Sequence, residues 1–227
     1  GAIPLPLRPL IGSFLGARPV FVDTSRTGMV LTPEALKAAL TPKTRVVLVN
    51  SPGNPTGAVW TEQQQRDLAR VLEGSDIFVI SDEIYEKLIY EGRHFSFACA
   101  SQDAWSRTVT VNGSAKAFAM TGWRVGYAAG PRPVIDAMIA LQSHSTSNPT
   151  SFAQKGAVAA LKGPQDHLAR WLAEYARRRT FAWQKLNSIP GVSCVNSKGA
   201  FYLFPNISAT GLRSSEFCAR LLDSEKV

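Results

Sequence analysis

Val46-Val47-Leu48-Val49-Asn50, followed at once by Ser51-Pro52-Gly53-Asn54-Pro55-Thr56-Gly57, is the stretch on which the fold turns. Four aliphatic residues in a row, with no polar alternation, describe a strand covered on both faces. The two prolines and two glycines that follow fix a loop path that no regular element can take. A buried strand that ends in a special loop is the mark of an open parallel sheet, whose carboxyl edge is where ligands bind. The same pattern recurs on either side. Residues 77–82, 108–112 and 125–129 read as further strands of that parallel kind, and 20–22 as one more upstream.

The intervening segments carry helix start and stop signals. Thr32 precedes Pro33 and Glu34, an N-cap before a first-turn proline. Thr61 with Gln64 forms a capping box, and Gly74 stands where that helix should stop. Beyond residue 130 the pattern becomes helical, at 132–145, 151–162 and 165–188. The last of these spaces Leu168, Trp171, Leu172, Tyr175, Ala182 and Leu186 on one face. Pro190-Gly191 then opens a different composition: strands at 192–195 and 200–205 and a helix from about Ser214. The order predicts a three-layer α/β/α domain with a mostly parallel sheet over 1–188. Residues 189–227 read as the start of a smaller α+β domain.

Composition narrows the function classes. Of 227 residues, 45% are apolar and 19% charged, which sets aside disordered and coiled-coil readings. No apolar run approaches the ~18 residues of a membrane span, so no membrane partner is expected. The net charge of +8 raises nucleic-acid binding. The charges are scattered, however, and the one dense run, Arg177-Arg178-Arg179, lies inside a helical pattern and reads as a solvated face. Cys99, Cys194 and Cys218 are too far apart for a metal knuckle and odd in number, so they read as buried thiols of a reducing, cytoplasmic compartment. The prolines of Ala2-Ile3-Pro4-Leu5-Pro6 break any signal-peptide helix. With Gly1 first and a helical pattern at Val227, the sequence reads as an internal excerpt of a longer chain, inactive by itself.

Three strand ends carry chemistry. The first loop aims the Asn54 amide toward the crevice; its plainer reading is a turn before the Thr61 helix. The second strand ends in Ser81-Asp82-Glu83-Ile84-Tyr85. A carboxylate there is costly unless it meets a cation or several donors, or simply caps the next turn. The third end is Asn112-Gly113-Ser114-Ala115-Lys116, followed by Ala117-Phe118-Ala119-Met120-Thr121-Gly122-Trp123-Arg124. A lysine among small and apolar residues would be desolvated and nucleophilic toward carbonyls. Alone, it would be an ordinary surface lysine.

Together the three ends resemble the signatures of fold-type I pyridoxal-phosphate enzymes, specifically class I/II aminotransferases of the bacterial aspartate aminotransferase type. Asn50 to Gly57, Ser81 to Tyr85 and Lys116 to Arg124 carry the resemblance, and His144 to Ser151 adds to it. It implies pyridoxal 5'-phosphate as cofactor, with Lys116 as the catalytic amine that forms a Schiff base and then serves as base. Asp82 would pair with the pyridine nitrogen. Tyr85 and Asn54 would address the phenolate oxygen, with Asn54 also near the substrate carboxylate. Arg124 would grip the phosphate, with Ser114 as a further donor, although the family's frequent hydroxyl sits one place earlier, at Gly113. The implied substrates are an amino acid, aspartate-like, and a 2-oxo acid. The implied assembly is a homodimer with Ser145–Asn148 near the subunit interface. The family's Gly-rich phosphate turn and carboxylate-binding arginine have no counterpart here, and Leu5 stands closest to its ring-stacking aromatic. A β-lyase or decarboxylase on the same scaffold, or the aminotransferase-like sensor domain of a transcription regulator, are the alternative readings.

Overall fold

The computed structural model describes residues 16–226. Its centre is a four-stranded sheet in the order β1 (Val46–Asn50), β2 (Phe78–Asp82), β3 (Thr108–Gly113) and β4 (Gly126–Ala129). β1, β2 and β3 run parallel, in a register that sets Asn50 beside Asp82 and Asp82 beside Val111. β4 runs antiparallel, with Gly126 beside Gly113 and Tyr127 beside Asn112. That reversal corrects the expectation of a parallel fourth strand. Residues 114–125 hold a loop and a 3-10 turn (Thr121–Trp123) but no crossover helix, and a parallel return needs one.

Helices α1 (Pro33–Ala39), α2 (Glu62–Leu72) and α3 (Gln102–Arg107) pack around the parallel strands. Thr32 caps α1, Thr61 and Gln64 form the reciprocal capping box of α2, and Gly74 follows α2 in the left-handed conformation. Leu36, Val49, Trp60, Leu68, Leu72, Val79 and Phe97 make the main core. Fully burying such side chains contributes roughly 1.5–3 kcal/mol each, which holds the strand ends in place.

Beyond the sheet come α4 (Arg132–Ser145), α5 (Ser151–Lys162) and α6 (Asp166–Asn187). A two-stranded ladder of β5 (Ser193–Cys194) and β6 (Pro205–Asn206) and the helix α7 (Ser214–Glu225) follow.

Several expectations are corrected. Residues 20–22 form no strand, and Val20 and Phe21 are exposed: β-propensity without a pairing partner does not make a ladder. Residues 200–205 are mostly turn and coil, with a single bridge between Ile89 and Gly199 upstream. Cys99 and Cys218 are exposed; only Cys194 is buried, which pushes its thiol pKa up. Arg177 and Arg178 are solvated and paired with Glu174, but Arg179 turns inward, donates to the Ser197 carbonyl at 2.7 Å and stacks over Tyr90. The Leu5 expectation falls outside the described residues.

Candidate active site

The parallel strands deliver their last residues to one edge, and the reversed β4 brings a fourth segment to it. Asn54 follows β1, Asp82 ends β2, Ser114 and Lys116 follow β3, and Arg124 stands two residues before β4. An antiparallel strand starts at the edge where its neighbour finishes, so β4 is what carries Arg124 to the same side as Lys116. Its close pairing with β3 explains Gly113: a β-carbon there would lie 3.0 Å from both the Gly126 Cα and the Val125 carbonyl oxygen. A side chain at that place would need Gly126 or Val125 to give way by a few tenths of an ångström.

The loops themselves are tied down. Asn50 donates through Nδ2 to the Asp82 carbonyl at 2.9 Å and accepts from the Asn54 N–H at 2.8 Å. Its side chain thus locks the end of β2 to the loop that bears Asn54. Both Ser51-Pro52 and Asn54-Pro55 are cis in that loop. After β3, the Thr121 hydroxyl donates to the Ala115 carbonyl at 3.0 Å, and Arg124 donates to the Thr121 carbonyl at 2.8 Å. Arg124 has φ +54, outside the usual range for a side-chain-bearing residue, and its side chain is exposed.

Asp82 is only 2% exposed. Its Oδ1 accepts from the Ile84 N–H at 3.3 Å, the local contact its capping role calls for. The neighbouring Glu83 is buried on a separate network: it accepts from Ser81, Ser96 and the Phe97 N–H and contacts His94 Nε2 at 2.7 Å. Glu83 therefore braces the turn that presents Tyr85.

Tyr85 is fully buried. Its ring meets Phe201 and Tyr202 edge-on, at centroid distances of 5.3 and 5.6 Å. The Lys116 ammonium lies 5.9 Å from the Tyr85 ring centre and 5.5 Å from that of Phe201, within cation–π range. Lys116 is partly buried, as its small and apolar neighbours suggested. The Tyr202 hydroxyl stands 2.5 Å from that of Tyr85 and 3.4 Å from Asn54 Nδ2. Tyr85 and Asn54 thus share one neighbour, the Tyr202 hydroxyl. Phe201 and Tyr202 are the residues that sequence reasoning missed.

Ala200 aims them. It is fully buried at φ +57, a left-handed conformation that costs a β-carbon-bearing residue roughly 1–2 kcal/mol. Its N–H donates to the Leu88 carbonyl at 2.8 Å, and its carbonyl accepts the Tyr90 hydroxyl. Burial pushes the Tyr90 phenol up to about 12, so it remains a donor at any physiological pH.

At the other end of the edge, Ser114 is fully buried and its hydroxyl meets no hydrogen-bond partner among the described residues. A buried hydroxyl left unsatisfied costs about 1–3 kcal/mol, and an oxygen-rich ligand would remove that cost.

Comparison with known proteins supplies the context. The sequence profile described as aminotransferase class I and II matches residues 15–227. Aspartate aminotransferase of Geobacillus stearothermophilus is 46% identical over 219 residues, 93% of this chain and 56% of that protein. The Bacillus subtilis aspartate aminotransferase gives the same identity and coverage. Among solved structures, the Rhizobium meliloti aspartate aminotransferase superposes with a TM-score of 0.88 at 40% identity, over 94% of this chain and 57% of that one. The Pyrococcus horikoshii aromatic aminotransferase also gives 0.88 at 40% identity, over 93% and 57%. The chain spans about half the length of the relatives it matches.

Proposed function

Because the chain belongs to the aminotransferase class I and II family, we propose that it carries the cofactor-binding edge of a transaminase that moves an amino group between an amino acid and a 2-oxo acid. Aspartate is the favoured donor, by likeness to the aspartate aminotransferases at 44–46% identity. The observation that carries the reading is the meeting, at one sheet edge, of the Lys116 ammonium with the Tyr85 ring and the Asn54–Tyr202–Tyr85 contacts.

The donor set fits pyridoxal 5'-phosphate. When bound, that group supplies an aldehyde that takes up amines and a ring that withdraws electrons from the amino acid's α-carbon. Ser114, with its unpartnered buried hydroxyl, and Arg124, with its guanidinium fork, would hold the phosphate. Asp82 would keep a proton on the ring nitrogen, a role that its burial strengthens electrostatically. Tyr85 and Asn54 would donate to the ring oxygen, and Asn54 would also orient the substrate carboxylate. Lys116 Nζ would take the proton from the amino acid's α-carbon and deliver it to the cofactor carbon that bears the nitrogen, and would move it the other way in the half-reaction with the 2-oxo acid.

By the same likeness, the assembly is a cytoplasmic homodimer with Ser145–Asn148 near the subunit interface, and residues 1–188 and 189–227 belong to a large and a small domain. No described helix is long and apolar enough to cross a membrane.

An assay of the full-length protein with aspartate and 2-oxoglutarate tests the reading. Turnover should be present in the wild type and fall by at least roughly 10⁴-fold in Lys116→Ala, with the fold unchanged by circular dichroism. Half-maximal activity in that variant would sink the mechanism.

A further inference from the structure

Tyr202 enters the site from 117 positions away, carried by a segment that is closely seated on the loops of the sheet edge. The N–H groups of Lys198 and Gly199 both donate to the Gly57 carbonyl, at 3.0 and 2.9 Å, and the Tyr90 N–H donates to the Lys198 carbonyl at 2.8 Å. The seat leaves no slack. A β-carbon on Gly57 would fall 2.3 Å from that of Ser197, and one on Gly199 would lie 2.9 Å from the Pro52 side chain. The segment is therefore held against the same Pro52–Gly57 loop that carries Asn54.

The hydroxyl pair of Tyr85 and Tyr202 can carry its proton in either direction. Asn54 donates through Nδ2 to the Tyr202 oxygen. A phenol has one proton, and for Tyr202 the near partner is the Tyr85 hydroxyl at 2.5 Å. With Asn54 donating to the Tyr202 oxygen, the arrangement in which Tyr202 gives its own proton to Tyr85 leaves the Tyr85 proton for another acceptor. A phenol that accepts one hydrogen bond becomes a stronger donor in the next.

We propose that Tyr202 donates to Tyr85 and is a positioning residue, which acts through Tyr85 to order and strengthen the hydrogen bond that Tyr85 donates to the ring oxygen of the cofactor. This rests on the transaminase reading, since the acceptor belongs to pyridoxal phosphate. A donor to that oxygen favours its anionic form and so lowers the pH at which the bound cofactor loses its proton. Removing the Tyr202 hydroxyl should therefore raise that midpoint.

The test is a pH titration of cofactor absorbance in the full-length protein reconstituted with pyridoxal phosphate. Tyr202→Phe keeps the ring packing and should increase the proton affinity about twofold to threefold, with Tyr85→Phe increasing it more. In a Tyr85→Phe background, Tyr202→Phe should add nothing. Fluorotyrosine at 202, a nearly isosteric and stronger donor, should move the midpoint the opposite way, and it stands as the test should the Phe variant fold poorly. A midpoint unmoved by either change at 202, or moved equally in both backgrounds, overturns the role of Tyr202 and leaves the transaminase reading intact. A wild-type protein that takes up no pyridoxal phosphate overturns both.

Discussion

The two ends of the site differ in how far the chain itself completes them. At the Tyr85 end the parts are buried or half-buried and tied to one another: Asn50 locks two loops together, and Asn54, Tyr202 and Tyr85 meet amide to hydroxyl to hydroxyl. At the Ser114–Arg124 end a fully buried hydroxyl meets no protein partner among the described residues, and the arginine is exposed. The first end is preorganised by the polypeptide. Under the proposed function the second is a receptor, with Ser114 and Arg124 as donors for an anion that the polypeptide does not provide. Preorganised dipoles serve the chemical step, whereas an incomplete donor set serves affinity.

That contrast sets the order of the expected effects. Asp82→Ala acts on the preorganised end and should lower turnover roughly 10²–10³-fold in the full-length protein, while Asp82→Glu retains more. If both variants matched wild type, Asp82 would only cap its turn through the Ile84 N–H, and the distinction between the two ends would fail. Arg124→Ala acts on the receptor end. It should weaken cofactor retention roughly tenfold to a hundredfold in equilibrium dialysis, with turnover at saturating cofactor changed far less. A loss confined to turnover would place Arg124 with the reacting atoms instead.

Ser114→Ala gives the smallest effect and the sharpest one, because its sign depends on the ligand. With cofactor bound, the variant should lose about threefold to tenfold in affinity. Without it, removing an unsatisfied buried hydroxyl should leave stability unchanged or raise it by about 1 kcal/mol in denaturant unfolding. A destabilised cofactor-free variant would mean that the hydroxyl already has a partner in the protein.

The sequence reveals what lies at strand ends and little of what arrives from elsewhere. Asn54, Asp82 and Lys116 are legible because each lies at or just past the end of a strand-like run, in a stretch of unusual composition. The capping box at Thr61 and the stop at Gly74 are legible because their signals are local. Tyr202 is not. Its neighbours read as a strand, and nothing near it reports that Ala200 turns left-handed and sends it toward Tyr85. The direction of β4 is equally silent, since an apolar run reads the same either way; the missing crossover helix between Lys116 and Gly126 is the signal that could have revealed it. Arg179 illustrates the same limit. Three arginines in a row look alike, and only the helix phase turns one of them onto Tyr90.

In the proposed function Lys116 is the amine to which the cofactor's aldehyde would attach. Borohydride reduction of the full-length protein loaded with pyridoxal phosphate, followed by peptide mapping, tests it most directly, because reduction makes the carbon–nitrogen bond permanent. The expected outcome is loss of the cofactor absorbance band and a single pyridoxyl label on the peptide that contains Lys116. A label on another lysine with Lys116 unmodified, or no label at all, would contradict it.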